Sequence, residues 1–245
     1  DVAMKTGDTP TLTLTFSEAV VGFSSSADVS CPSGTLGTMT TANGGVTWTG
    51  TFTPTANTED SSNVCDLGTS YTDANGNSGP SAQTANYQVE TLAPSVNSIA
   101  NSDTALKIGD TSTLTIVFSE AVAGFASDDD VTCPRGTLAA MTSGDSVTWT
   151  GTFTPTADTE DDSNVCSLAT TYTDANGNSG PAAQTANYEV ETQAPTVNSI
   201  TMGDTALKDG ETATLTIVFS ELVAGFASDD DVTCGSGTLA AMTNS

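Results

Sequence analysis

Apolar and polar residues alternate along several stretches of this chain. Leu12, Leu14 and Phe16 alternate with Thr11, Thr13 and Thr15. Val46, Trp48, Gly50 and Phe52 alternate with Thr47, Thr49, Thr51 and Thr53, and Ala85, Tyr87 and Val89 alternate with Thr84, Asn86 and Gln88. A period of two with one apolar face predicts half-buried β-strands. Threonine on the outer face suits the strand preference of β-branched residues without adding apolar surface. Asn43-Gly44, Asn75-Gly76 and Asn176-Gly177 punctuate the strands as tight turns. No stretch carries a convincing amphipathic-helix pattern. These elements predict an all-β, antiparallel sandwich.

The pattern repeats. Residues 1–8 read DVAMKTGD, residues 103–110 read DTALKIGD and residues 204–211 read DTALKDGE, which are offsets of 102 and 101 residues. Trp48 recurs as Trp149, Cys31 as Cys133 and Cys234, and Cys65 as Cys166. The eight residues DANGNSGP occur at 73–80 and again at 174–181. The offset falls by one between Cys133 and Trp149, which places a length-tolerant loop there. About 100 residues is a normal size for a β-sandwich domain. The divisions are therefore 1–91, a repeat without its first strand, 92–192, a complete repeat, and 193–245, the N-terminal half of a third. The ends read as arbitrary cuts through a longer array.

Composition changes the picture in one respect. With 4 Lys and Arg against 30 Asp and Glu the formal charge is -26, so nucleic acid and anionic membrane surfaces are excluded as natural partners and cations are favoured. Three of the four basic residues, Lys5, Lys107 and Lys208, share one repeat position. No apolar run approaches the ~20 residues that span a bilayer, so no membrane insertion is expected in this segment, and no signal peptide lies within it.

The runs TLTIVFSEAVAGFASDDDVT, VTWTGTFTPTADTEDDSNV, YTDANGNSGPAAQTANYEVET and APTVNSI resemble the bacterial Ig-like repeats of large cell-surface adhesins, the extender regions of the biofilm-associated and calcium-dependent RTX types. The resemblance covers essentially the whole chain. It implies tandem immunoglobulin-like sandwiches of about seven strands, stacked head to tail, often with Ca2+ at the junctions. One departure is the cysteine pair, where most such repeats are expected to carry aliphatic residues.

Cys31 with Cys65 and Cys133 with Cys166 make two pairs within repeats, and the partner of Cys234 would fall beyond Ser245. Cys31 shares strand parity with Phe23 and Val29, and Cys65 with Leu67 and Tyr71, so both thiols are expected to face the core. If the two segments are the third and sixth strands of the sandwich, they are sheet neighbours. A bridge would close about 35 residues and stabilise each repeat by roughly 3 to 4 kcal/mol on the chain-entropy model. The alternative is a pair of buried free thiols. A zinc site lacks both CxxC spacing and histidine. Disulfides imply an oxidising, extracellular setting.

Sandwich topology brings three acidic or amide-bearing segments to one pole. The second strand ends at Glu18, Glu120 or Glu221. The sixth ends at Asp73, Asn75 and Asn77, or at Asp174, Asn176 and Asn178. The connector from the previous repeat carries Glu90 with Thr91, or Glu191 with Thr192. Oxygen side chains at alternate positions of a tight turn suit a hard cation, so Ca2+ is expected at the junctions. Two blander readings stand beside it: an Asn-Gly pair makes a hairpin unaided, and acidity alone keeps a secreted chain soluble. Glu59, Asp60, Glu160 and Asp161 are expected in a loop at the opposite pole, facing the next repeat's site. Asp128, Asp129 and Asp130 read as solvated charges.

Catalysis has no foothold, since histidine and phosphate-binding loops are lacking. A carboxylate pair built on Glu18 and Asp73 would need a cleft that a junction does not offer. The expected function is a structural extender of a secreted or cell-surface adhesin, whose partners are its own neighbouring repeats. Two alternatives are a segment that assembles with other copies into an extracellular filament and a glycan-binding module.

Overall fold

The structure, a computed structural model, describes residues 3–244. The second repeat shows the complete architecture. Its first sheet runs Val96–Asn101, Ser112–Phe118, Thr148–Pro155, Gly136–Leu138, with every pairing antiparallel. In the second sheet Ala105–Lys107 lies parallel to Tyr188–Glu191, which pairs antiparallel with Glu160–Asn164. That sheet continues as Ala183–Gln184, Ser167–Leu168 and Val131–Thr132. Counting interrupted strands once, seven strands form two layers, with the N-terminal strand divided between both sheets.

Strand alternation decides what is buried. Leu114, Ile116, Phe118 and Phe153 point inward from the first sheet and meet Leu106, Cys166, Leu168, Tyr172, Tyr188 and Val190 from the second. Ring pairs bridge the layers, with centroids 4.8 Å apart for Phe118 and Tyr172 and 5.3 Å for Phe153 and Tyr188. Gly151 occupies an inward position because a Cβ there would come within 2.7 Å of Met141 and 2.9 Å of the Ala139 carbonyl. Trp149 and Trp48 lie on the inward face but remain half-buried at the end of the core, against Phe125 and Phe23, rather than at its centre. Their indole N–H groups donate to the Ser146 and Gly45 carbonyls of the preceding loop, which draws the wide ring toward solvent.

Among the described residues the first repeat has the same plan without a counterpart of Val96–Asn101. Leu12 and Leu14 are therefore half-buried where Leu114 and Ile116 are fully enclosed. In the third repeat Val197–Met202 pairs with Leu215–Phe219. Val197 and Ile200 are about 60% exposed, because the strands covering that face in the second repeat have no counterpart among the described residues.

Both disulfides are present. Val29 pairs with Leu67 and Ser30 with Asp66, so Cys31 falls opposite Cys65 on adjacent antiparallel strands, and the Cα atoms are 4.2 Å apart. Cys133 and Cys166 are joined at the same Cα separation. Cys65 and Cys166 are buried while their partners are half-buried.

Two sequence expectations need correction. Each repeat contains one helical turn, Ser25–Asp28, Ser127–Asp130 or Ser228–Asp231, and its last acid is not solvated in the first two. Asp28 and Asp130 are each 3% exposed. Asp130 accepts the Ala126 N–H at 2.7 Å and the Thr171 hydroxyl, tying the turn to the sixth strand. Glu59 and Asp60, and Glu160 and Asp161, lie within strands Glu59–Asn63 and Glu160–Asn164 rather than in a loop, since the last strand recruits them into its ladder.

Candidate functional site at the junction between repeats

The residues 174–178 turn is built from its own side chains. The Asp174 carboxylate accepts the backbone N–H groups of Asn176 and Asn178 on Oδ1, at 2.9 and 2.8 Å, and the Asn178 amide on Oδ2 at 2.7 Å. Gly177 takes φ 89°, the left-handed region that favours glycine. The residues 73–77 turn repeats this arrangement: Asp73 accepts Asn75 and Asn77 N–H groups at 2.8 Å each and the Asn77 amide at 2.7 Å. Those hydrogen bonds, the Asn77 amide foremost, hold the Asp73 carboxyl below the usual carboxylate range.

The two turns differ in what covers them. Asp73 is half-buried and Asn75 and Asn77 are exposed. Asp174 and Asn178 are only 2% and 3% exposed, while Asn176 is open to solvent. The cover is the end of the first repeat. Asn178 Oδ1 accepts the Thr6 N–H at 2.9 Å, and Asn178 Nδ2 donates to the Glu90 carbonyl at 2.8 Å. Thr6 is held in turn by its hydroxyl donating to the Thr91 carbonyl at 3.1 Å. Thr91 locks the strand exit by donating to the Thr55 carbonyl and accepting the Thr58 N–H; Thr192 does the same in the second repeat.

Carboxylates crowd the same junction. Glu59 and Glu90 face each other across an antiparallel pair, an unfavourable placement for like charges. Burial, then Glu59, Asp174 and Glu120, push the Glu90 carboxyl above its ordinary value. Burial, then Asp174 and Glu59, do the same for Glu120. Two repeats therefore contribute to one acidic focus. No three Asp, Glu or Cys side chains among the described residues converge closely enough to enclose a metal ion, and the turn oxygens of Asp174 and Asn178 are committed to hydrogen bonds.

The remaining expected ligands lie apart from this focus. Glu18 lines a cleft of the first repeat together with Asp73 and Asn77, so these residues do border a cleft, contrary to the expectation that none would be offered there. Glu191 pairs opposite Glu160, and Glu221 is exposed on the third repeat. No counterpart of the 174–178 turn occurs in that repeat among the described residues. Sequence reasoning missed Thr6, Lys5 and the direct opposition of Glu59 and Glu90. The recurrence of Lys-Xaa-Gly-Asp or Lys-Xaa-Gly-Glu in each copy was the available signal.

Two Ig-like sandwiches joined through the pole of one and the base of its neighbour define a tandem β-sandwich array. A bacterial Ig-like domain family model matches residues 1–89, 90–190 and 191–245, and the chain belongs to that family. No curated protein matches it. Among solved structures it is similar to the Bacteroides ovatus mixed-linkage glucan utilization locus protein SGBP-B in complex with a mixed-linkage heptasaccharide, at 15% identity and a TM-score of 0.21. The match covers 86% of this chain and 49% of that one, so the chain spans about half the length of its neighbour. No helix among the described residues is long and apolar enough to cross a membrane.

Proposed function

We propose that the chain is a non-catalytic extender segment of a secreted or cell-surface adhesin, in which stacked Ig-like repeats hold a distal element away from the cell. The observation that carries this reading is the junction, where Asn178 bonds directly to the end of the first repeat. A spacer requires defined angles between its units, and hydrogen bonds between poles supply them. Disulfides in the first two repeats agree with an oxidising, extracellular location.

Ca2+ at the junction is part of the proposal. Glu59, Glu90 and Glu120 keep carboxylate oxygens that no hydrogen bond in the turn consumes; they do not enclose an ion as they stand, so a divalent cation would have to draw them together as it relieved their mutual repulsion. Asp174, Asn176 and Asn178 would shape its surroundings. Extracellular modules bind Ca2+ with dissociation constants of about 10⁻⁴ to 10⁻³ M, so an extracellular medium would fill such a site. Small-angle scattering of the chain with and without chelator tests the cation. Its maximum dimension and stiffness should change on chelation, and Glu120→Ala should abolish that response. Equal curves in all three conditions would remove calcium from the reading.

A further inference from the structure

We propose that the Asp-Ala-Asn-Gly-Asn turn is the receptor half of a protein joint, with the Asn178 carboxamide reading the backbone of the preceding repeat. Its partner is the Lys-Xaa-Gly-Asp turn and strand-end carbonyl of another repeat of this type. This rests on the extender reading but not on bound Ca2+.

Three observations converge. A carboxamide presents an acceptor and a donor side by side, which matches one backbone N–H and one backbone C=O. Asn178 uses both, toward Thr6 and Glu90, while nearly fully buried. The partner surface is also preformed. Lys5 N–H donates to Asp8 at 2.9 Å and Asp8 N–H to the Lys5 carbonyl at 3.2 Å. The same pair of bonds recurs at Lys107 with Asp110 and at Lys208 with Glu211. Finally, the Lys5 side chain lies across the receptor. A Cβ added at Gly177 would come within 3.0 Å of Lys5 Nζ, whereas one added at Gly76 would meet nothing within 4 Å. The lysine that recurs in every copy thus has a place: its stem covers the glycine of the next repeat's turn.

The first repeat supplies a control, because Asn77 makes the same bonds within its turn and is exposed. Amide hydrogen exchange of the full chain reads the joint at Thr6. Its N–H should be protected in chelator as well as in Ca2+. Asn178→Ala should lower that protection about tenfold, the scale of one intramolecular hydrogen bond. Asn77→Ala should leave it unchanged, which separates docking from stabilisation of the turn. Asn178→Asp keeps the acceptor, loses the donor and adds charge, so it should open the joint, and Ca2+ should not restore it. Unchanged Thr6 protection in Asn178→Ala, equal loss in Asn77→Ala, or Asn178→Asp that is tighter than the native chain in Ca2+ would each overturn the proposal. The last result would return the turn to the metal. Loss of the calcium effect alone would leave the joint standing.

Discussion

Asp130 shows how much one carboxylate can carry in a small sandwich. It is a buried acceptor whose partners are a backbone N–H and the Thr171 hydroxyl. Removing it leaves the half-buried Ala126 N–H and the Thr171 hydroxyl without the charged acceptor they share. Asp130→Ala should therefore lower the unfolding free energy of the second repeat by about 3 kcal/mol, measured by denaturant titration. Asp128→Ala, at an exposed position of the same turn, should change it by less than about 0.5 kcal/mol. The run of three acids concealed this difference. It could have been read from the first copy, where Ser25, Ser26 and Ala27 precede Asp28: only the buried position keeps its acid.

At the scale of elements, the disulfide staples two neighbouring strands of a single sheet, and the strand segments there are only two residues long. Such short segments contribute few ladder hydrogen bonds, so the covalent link replaces what length would give. Reduction should destabilise each disulfide-bearing repeat by about 3 to 4 kcal/mol, seen as a fall in melting temperature on adding reductant that Cys133→Ala with Cys166→Ala reproduces for the second. The sandwich was legible because alternation in Leu12, Leu14 and Phe16, and in Trp48, Gly50 and Phe52, is a local signal. The cysteine pairing followed from parity. Less was legible where one face does not decide the outcome. Glu59 sits in a strand through pairing with a distant partner, Glu90, and nothing in its own neighbourhood announces that. The turns at 73–77 and 174–178 read alike because their sequences are identical; only the neighbouring repeat makes them different.

Over the whole molecule the junction couples shape to solution conditions. Glu90 and Glu120 have raised carboxyl pKa values in the folded chain, so protonation favours the closed junction. That contribution is complete below the ordinary value near 4.5 and is lost as pH rises through the raised values. In chelator the chain should therefore stiffen on acidification from about pH 7 to about pH 4, and scattering should show narrower inter-repeat angles; Glu90→Gln with Glu120→Gln should stiffen it at neutral pH. One feature of each sandwich also bears on how the array behaves under tension. Ala105–Lys107 and Tyr188–Glu191 lie near opposite ends of the repeat and run parallel. A pull on the two termini slides these neighbours past each other, so their hydrogen bonds resist together instead of breaking one at a time. Should the sandwich yield, the Cys133 to Cys166 loop, with a separation of 33 residues, stays closed. At 3.3 to 3.6 Å per extended residue it withholds about 110 Å of contour per repeat. An array built this way yields in short, limited steps in its first two repeats, and reduction of their disulfides lengthens those steps.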